Sequence, residues 1–214
     1  GALQLVSKKP TDDFHVTAKA GYGRFNDWYV RGRVDTGYIG NSPFKLSIAA
    51  QHREADGYIN NTLTKASEDP GSIKADTVAI GLQADLGKLT VDYGFDYDNR
   101  SGSPAFFQIV ATTPTYESYF GRSASLGGAP FLSSPDYHDT VQQSGFYDQK
   151  GNYRHNSKTR VQGHSLTLAY EASDALTIKS ITGYRKFFQD SILNLTGNGD
   201  LKGVVLDYTS PTLT

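Results

Sequence analysis

Apolar and polar residues alternate along most of the chain, and this period of two predicts β-strands. The clearest run covers residues 89–98, where the apolar positions are Leu89, Val91, Tyr93, Phe95 and Tyr97. Because successive side chains of a strand point to opposite faces, one face of this strand is apolar and the other is polar. Residues 78–86 repeat the alternation, and Gly87 with Lys88 between the two runs predicts a hairpin.

The same alternation predicts five further strands, at residues 14–22, 28–36, 44–50, 160–171 and 176–188. β-Branched and aromatic residues concentrate in these runs, whereas Gly, Asn, Asp, Pro and Ser concentrate between them. No segment has the period of a helix longer than one or two turns. The sequence therefore predicts an all-β chain of about seven strands.

The connections between the predicted strands differ systematically in length. Those after the second, fourth and sixth strands are short, and those after the third, fifth and seventh are long, at residues 56–75, 99–159 and from 190 onward. Only the link at 23–27, after the first strand, departs from this rule. Alternate connections of an up-and-down sheet lie at the same end. Outer-membrane barrels have this asymmetry, with short periplasmic turns and long extracellular loops.

The lengths and faces of the strands favour a membrane barrel. Five alternating apolar residues span about 30 Å of strand, and a tilt of roughly 40° reduces this to the ~25 Å apolar band of such a barrel. A soluble sheet usually carries Lys and Glu on its second face, but here that face is largely small or uncharged and rich in glycine. Glycine within a strand often marks the close approach of another backbone, as expected for a lumen that holds a folded plug. The predicted fold is an antiparallel up-and-down transmembrane β-barrel with long extracellular loops and aromatic girdles.

Composition limits the function without identifying it. The chain has 214 residues, 37% of them hydrophobic, with 21 basic and 22 acidic side chains and neither cysteine nor methionine. The balanced charge gives no general electrostatic footprint for nucleic acid, and the lack of cysteine excludes disulfides and thiolate metal sites. The apolar runs are too short for a transmembrane helix. A chain without an initiator methionine or signal peptide is expected to be an internal or processed segment.

Four segments resemble those of TonB-dependent outer-membrane receptors in their order and spacing. The first, GALQLVSKKP, is similar to the end of the plug domain, where a glycine-rich strand ends in a basic dipeptide and a proline before the first barrel strand. The others resemble the first hairpin, the third strand with its loop, and the seventh strand, and read AGYGRFNDWYVRGRVDTG, LSIAAQHREADGYINN and LTIKSITGYRKF. The resemblance extends from residue 1 to about residue 188.

The resemblance implies active uptake across the outer membrane of a Gram-negative bacterium. In that family a 22-stranded barrel encloses the plug, and extracellular loops capture a scarce ligand such as a ferric siderophore, cobalamin or a glycan. TonB supplies force from the inner membrane. Residues 1–10 are then the C-terminal end of a plug domain, and residues 11–214 are the N-terminal part of the barrel. The implied partners are outer-membrane lipid, the remainder of the barrel and plug, TonB through an upstream region, and a small-molecule ligand such as an iron chelate.

The long connection at residues 99–159 contains the candidate ligand site. Connections of this length are usually functional or disordered, and the ten aromatic residues in this one argue against disorder. Aromatic rings beside basic side chains suit an amphipathic, anionic or sugar-like ligand. The candidate ligand-binding residues are Tyr116, Tyr119, Arg122, Tyr137, His138 and Arg154. The alternative is that these aromatic residues fold the loop on itself and against neighbouring loops.

The sequence contains no pattern that predicts a catalytic or metal site. The Asp-Tyr-His-Asp sequence at 136–139 offers metal-ligand types, but no second histidine stands at helical spacing. Neither GxSxG nor HExxH occurs. We therefore predict no catalytic residues, no metal site and no cofactor. The aspartates of residues 89–98 are expected to hydrate a lumen or to pair with cations of other strands, namely Lys19, Arg31, Arg33, Lys45, Arg53 and Arg185.

Two other functions remain open. The first is a soluble up-and-down β-barrel that binds a small apolar ligand, with the apolar faces pointing inward. It predicts a chain that is soluble without detergent. The second is an outer-membrane barrel enzyme, such as a protease or lipase, with catalytic residues near the long-loop rim. It predicts turnover that depends on His138.

Overall fold

The structure is almost entirely β-sheet. The computed structural model describes residues 8–61, 65–103, 140–141, 146–147, 153–154, 157–194 and 205–213. The strands, in chain order, are β1 (Phe14–Tyr22), β2 (Trp28–Tyr38), β3 (Phe44–Ala55), β4 (Asn60–Asn61), β5 (Ile73–Leu86), β6 (Leu89–Gly102), β7 (Thr140–Val141), β8 (Phe146–Tyr147), β9 (Tyr153–Arg154), β10 (Ser157–Ser173), β11 (Leu176–Asn194) and β12 (Val205–Leu213). One 3-10 turn covers Ala66–Glu68. The described residues include no helix long and apolar enough to cross a membrane.

Eight strands form one antiparallel sheet whose spatial order follows the chain order. That order is β1-β2-β3-β5-β6-β10-β11-β12, while β4 pairs with β7 and β8 pairs with β9. Residues 39–43, 87–88 and 174–175 link strands at one end of the sheet, which we call the short-turn end. The connections that follow β3, β6 and β11 lie at the opposite, long-loop end. The predicted all-β, up-and-down arrangement is confirmed.

All the predicted strands are present, but the sequence understated their length and missed one strand of the main sheet as well as the two-residue strands β4, β7, β8 and β9. β3 continues to Ala55, β5 begins at Ile73 and β6 continues to Gly102. Backbone hydrogen bonds extend these strands past the runs of alternating apolar residues that predict them. The missed strand, β12, contains Pro211 and is the last strand in the sheet order. Proline lacks an N–H donor and is tolerated mainly in such edge strands.

The two faces of the sheet have opposite chemistry, and the apolar one is open. We call the face that carries Leu89, Val91 and Tyr93 the apolar face, and the other the polar face. Large side chains of the apolar face are exposed, among them Phe14, Val16, Val30, Val34, Phe44, Ile48, Leu86, Tyr170, Leu176 and Ile178. Buried side chains include the polar Asp35, Lys45 and Ser47. Burial is therefore inverted relative to a soluble protein, in which apolar side chains fill the interior.

The N-terminal segment, Lys8 to Asp13, lies across the polar face. The guanidinium of Arg33 donates a hydrogen bond to the carbonyl of Lys9 at 3.0 Å. Pro10 is buried, and its ring lies 3.6 Å from the position of a Cβ on Gly81. The segment therefore packs against β5 at van der Waals distance, and the close neighbour of that Cβ position is Ser47 Oγ at 2.7 Å.

Gly37 provides a test of how closely this segment packs. Gly37 and Gly40 both have positive φ, at 65° and 59°. A Cβ at Gly37 would lie 2.6 Å from the carbonyl oxygen of Asp12, whereas one at Gly40 would have no neighbour within 4 Å. We expect Gly40→Ala to lower the free energy of unfolding by only ~1–2 kcal/mol, the cost of placing a non-glycine residue in the left-handed conformation. Gly37→Ala should lower the free energy of unfolding by about 1–3 kcal/mol more than Gly40→Ala does, because the backbone of Asp12 must move.

Urea unfolding of the full-length protein in lipid vesicles measures both losses, and Gly40→Ala is the matched control for the backbone strain. Equal losses for the two variants would show that Asp12 does not pack against Gly37.

Candidate functional site

Most of the predicted ligand residues lie in the part of the chain that the structure does not describe. These are Tyr116, Tyr119, Arg122, Tyr137 and His138. Arg154 lies in β9, where the backbone alone is described. The ligand-binding role of all six residues therefore stays a prediction.

Short pairings connect the long loop to itself and to its neighbour at the long-loop end. β4 pairs with β7 in parallel, through Asn60 with Thr140. β8 and β9 form a small antiparallel pair within the same long connection. The pairing of β4 with β7 joins the connection after β6 to the connection after β3. They agree with the interpretation that the loop folds on itself and against neighbouring loops.

The connection between β3 and β5 is itself well packed. The Ile59 side chain is fully buried, and the amides of Tyr58 and Ile59 donate to the carbonyl of Pro70 at 3.1 and 3.3 Å. The Gly71 amide donates to Ser103 Oγ at 2.7 Å, which links this connection to the end of β6. The connection between β3 and β5 therefore forms a packed, hydrogen-bonded layer at the long-loop end of the sheet.

An ion pair attaches the β1–β2 turn to β3 at this end. Arg53 donates from Nε and Nη2 to the two carboxylate oxygens of Asp27, at 2.9 and 2.8 Å. This hydrogen bonding holds the pKa of Asp27 below its ordinary value. Since the folded-state pKa is depressed, the pair stabilises the fold above the unfolded pKa of an aspartate. That contribution is lost as the pH falls through the folded-state pKa.

The polar face contains a cationic cavity of about 400 Å³ beneath the N-terminal segment. It is lined by residues of β1, β2, β3 and β5 together with Lys8. Lys19 and Arg31 both line it, and they are direct partners in the β1–β2 register. Two like charges in this arrangement repel each other. No carboxylate is among the lining residues, so the cavity is suited to hold an anionic group.

The cavity itself was not predicted from the sequence. The signal that could have found it is the tight link at residues 23–27, because it sets the register that places Lys19 opposite Arg31. The predicted pairing of the β6 aspartates with cations of other strands is correct for Arg185, which lies 3.0 Å from Asp96.

The other β6 aspartates have partners that the sequence did not suggest. Asp92 accepts from the Lys9 ammonium, and Asp98 accepts from the Thr77 hydroxyl at 2.9 Å. The reason is strand order, since β6 pairs with β5 and β10 and is separated from β1 and β2. Three of the remaining predicted cations have their own local acids: Arg33 pairs with Asp35, Lys45 with Asp12 and Asp85, and Arg53 with Asp27. Lys19 and Arg31 line the cavity instead.

Within the described ranges, no group of three or more histidine, aspartate or glutamate side chains is arranged to hold a metal ion. The described polar face instead carries charged side chains and a cavity lined by cations.

Comparison with known proteins identifies the architecture. No protein-family model matches the chain, and no curated protein matches it by sequence. The siderophore receptor PiuA from Acinetobacter baumannii superposes with a TM-score of 0.62 at 13% identity, over 87% of this chain and 23% of the receptor. The closed form of the ferric-catecholate import receptor Fiu from K12 E. coli matches with a TM-score of 0.58 at 14% identity, over 96% of this chain and 27% of the receptor. The chain has the fold of part of an outer-membrane receptor barrel.

The chain spans about a quarter of the length of the two receptors, 23% of one and 27% of the other. By their names, one is a siderophore receptor and the other is a ferric-catecholate import receptor. The predicted partial barrel is confirmed at the level of fold. The assignment of residues 1–10 to a plug and of residues 11–214 to the barrel remains a prediction.

Proposed function

We propose that the chain is part of a TonB-dependent outer-membrane receptor that takes up an iron chelate, such as a ferric siderophore, by energy-dependent transport. In this proposal residues 1–10 end a plug domain and residues 11–214 begin the barrel. The partners are outer-membrane lipid, the remaining barrel and plug, TonB and the chelate. The observation that carries the proposal is the inverted burial of the sheet, with exposed apolar side chains such as Ile48 and buried polar ones such as Asp35.

Lipid explains this inversion in simple physical terms. Apolar side chains on the outside of such a barrel contact lipid and not water, so their outward position has no hydrophobic cost. A polar inner wall suits a lumen that is filled by water or by a plug. The contacts of the Lys8 to Asp13 segment with the polar face support the proposal that residues 1–10 end a plug. The names of the two similar structures, a siderophore receptor and a ferric-catecholate import receptor, motivate the ligand class.

The soluble-barrel alternative requires the apolar faces to be buried, and the exposed apolar face disfavours it. No described residue favours the enzyme alternative, since His138 lies outside the described part of the chain.

Growth under iron limitation tests the proposal. Cells that lack the gene for the full-length protein should fail to use at least one ferric siderophore of a panel, and the gene should restore its use. Inactivation of TonB is the matched control and should abolish the restored growth. Growth on every chelate without the gene, or restored uptake that persists without TonB, would overturn the proposed function.

A further inference from the structure

Across β6, β10 and β11 the apolar face changes character along the strands. Towards the short-turn end the paired residues are aliphatic, as where Leu168 lies opposite Val91. Further along, His164 lies between Phe95 and Tyr184, with ring centroids 5.1 and 6.0 Å away. An aromatic row of this kind is typical of the interface between hydrocarbon and headgroups.

Beyond the aromatic row the same face becomes basic. Gln162 is paired with Tyr97 on one side and with Lys186 on the other. Arg160 follows, with its guanidinium 4.6 Å from the ring centroid of Phe188. Arg160 and Lys186 are diagonal neighbours across β10 and β11, which is a spacing that long side chains can bridge. We call Arg160 and Lys186 the outer basic pair.

The outer basic pair lies at the height of lipid headgroups. Ten residues separate Arg160 from Tyr170, the aromatic residue near the short-turn end. They span about 34 Å of strand, or about 26 Å along the membrane normal at a tilt of ~40°. This distance matches the ~25 Å apolar band of an outer-membrane barrel. Arg160 is therefore placed at the outer edge of the hydrocarbon, on the long-loop side. Lys186 is level with Gln162, about 5 Å closer to the short-turn end, and its long side chain can reach the same height.

The charges of the outer basic pair are not neutralised within the sheet. In the described part of the chain, neither Arg160 nor Lys186 forms an ion pair with a carboxylate. The corresponding region of β3 and β5 is different, because there Lys74 lies 3.5 Å from Glu54 and His52 lies 2.6 Å from Asp76. Only the region of β10 and β11 therefore presents free positive charge at this height among the described strands.

We infer that the outer basic pair binds a phosphate group of an anionic lipid in the outer leaflet. The guanidinium of Arg160 can donate two hydrogen bonds to phosphate oxygens, and the ammonium of Lys186 adds a second charge. Tyr97 and Tyr184 lie next to the pair, where rings contact the upper part of the acyl chains. The inference rests on the proposed outer-membrane location and concerns the outside of the barrel, away from any transported ligand.

Lipid retention by the full-length protein in mild detergent tests the inference. The probe is lipopolysaccharide, a phosphorylated glycolipid, and its dephosphorylated form is the second arm. Each cation near an anionic surface contributes about fivefold in affinity. We expect the Arg160→Gln, Lys186→Gln double variant to bind the phosphorylated probe about 25-fold more weakly. Arg160→Lys keeps the charge and should stay within about twofold of the wild type.

Lys74→Gln is the matched control, since Lys74 is also at the long-loop end but is already paired with Glu54. It should leave the affinity unchanged. Equal affinity of the double variant and the wild type, or equal binding of the dephosphorylated probe, would overturn the inference. Loss of binding in the Lys74→Gln variant would also overturn the inference. The double variant should still support siderophore-dependent growth, because the pair lies outside the barrel. The growth assay therefore tests the proposed function, and lipid retention tests the phosphate site separately.

Discussion

Replacing Leu168 by arginine is expected to lower the free energy of unfolding in a lipid bilayer by about 1–2 kcal/mol. Leu168 lies on the apolar face, opposite Val91 and Ser180. It precedes Tyr170, the aromatic residue near the short-turn end, by two positions, which places it about 5 Å into the apolar band. A guanidinium at this depth must leave water or deform the bilayer, and either is unfavourable.

Thr167→Arg is the matched control for this variant. Thr167 is the preceding residue, so its side chain points to the polar face, and it is the register partner of Asp92. Asp92 Oδ1 is buried and has no hydrogen-bond partner among the described residues, so an arginine there gains an acceptor. We expect the free energy of unfolding of this variant to change by no more than about 0.5 kcal/mol.

Urea unfolding of the full-length protein in lipid vesicles compares the two variants. The exposed apolar face of a water-soluble protein would tolerate an arginine as well as the polar face does. Equal stability of the two variants would therefore contradict lipid contact at Leu168.

Replacing Asp35 by alanine is expected to lower the free energy of unfolding by about 3 kcal/mol. The Asp35 side chain is fully buried and accepts hydrogen bonds from Arg33 at 2.8 and 2.7 Å. It also accepts from the Thr11 amide at 3.3 Å, so it attaches the N-terminal segment to β2. Its removal leaves Arg33 without its carboxylate and the Thr11 amide without its acceptor. The loss is at the lower end for a buried pair because Arg33 keeps its bond to the Lys9 carbonyl.

Asp13→Ala is the control for Asp35→Ala, because the Asp13 side chain is exposed. Its effect should stay within about 0.5 kcal/mol. A double variant, Arg33→Met with Asp35→Leu, removes both charges and should recover part of the lost stability, since no uncompensated charge remains. Unfolding by urea measures all three. If Asp35→Ala is no more destabilising than Asp13→Ala, the buried pair does not hold the segment in place.

The sequence was sufficient where the structure depends on local geometry. The alternation from Leu89 to Asp98 predicted both the strand and its two faces, because side-chain direction follows from the pleat of the backbone alone. It was insufficient at strand ends and at β12, where pairing with a neighbour holds the strand and apolar residues are not needed. For Tyr116 and His138 a loop without periodicity offers no rule from which side-chain positions can be derived.

What the amino-acid sequence alone determined is the class of structure: an up-and-down sheet with one face apolar and one polar. The tertiary structure decided which residues meet. Lys9 reaches Asp92 across 83 positions of the chain, and Lys19 faces Arg31 above a cavity that contains no acid. Arg160 and Lys186 become a pair only through the register of β10 with β11. Periodicity is a local property of each strand, whereas these encounters depend on how distant segments pack, and that information is spread over the whole chain.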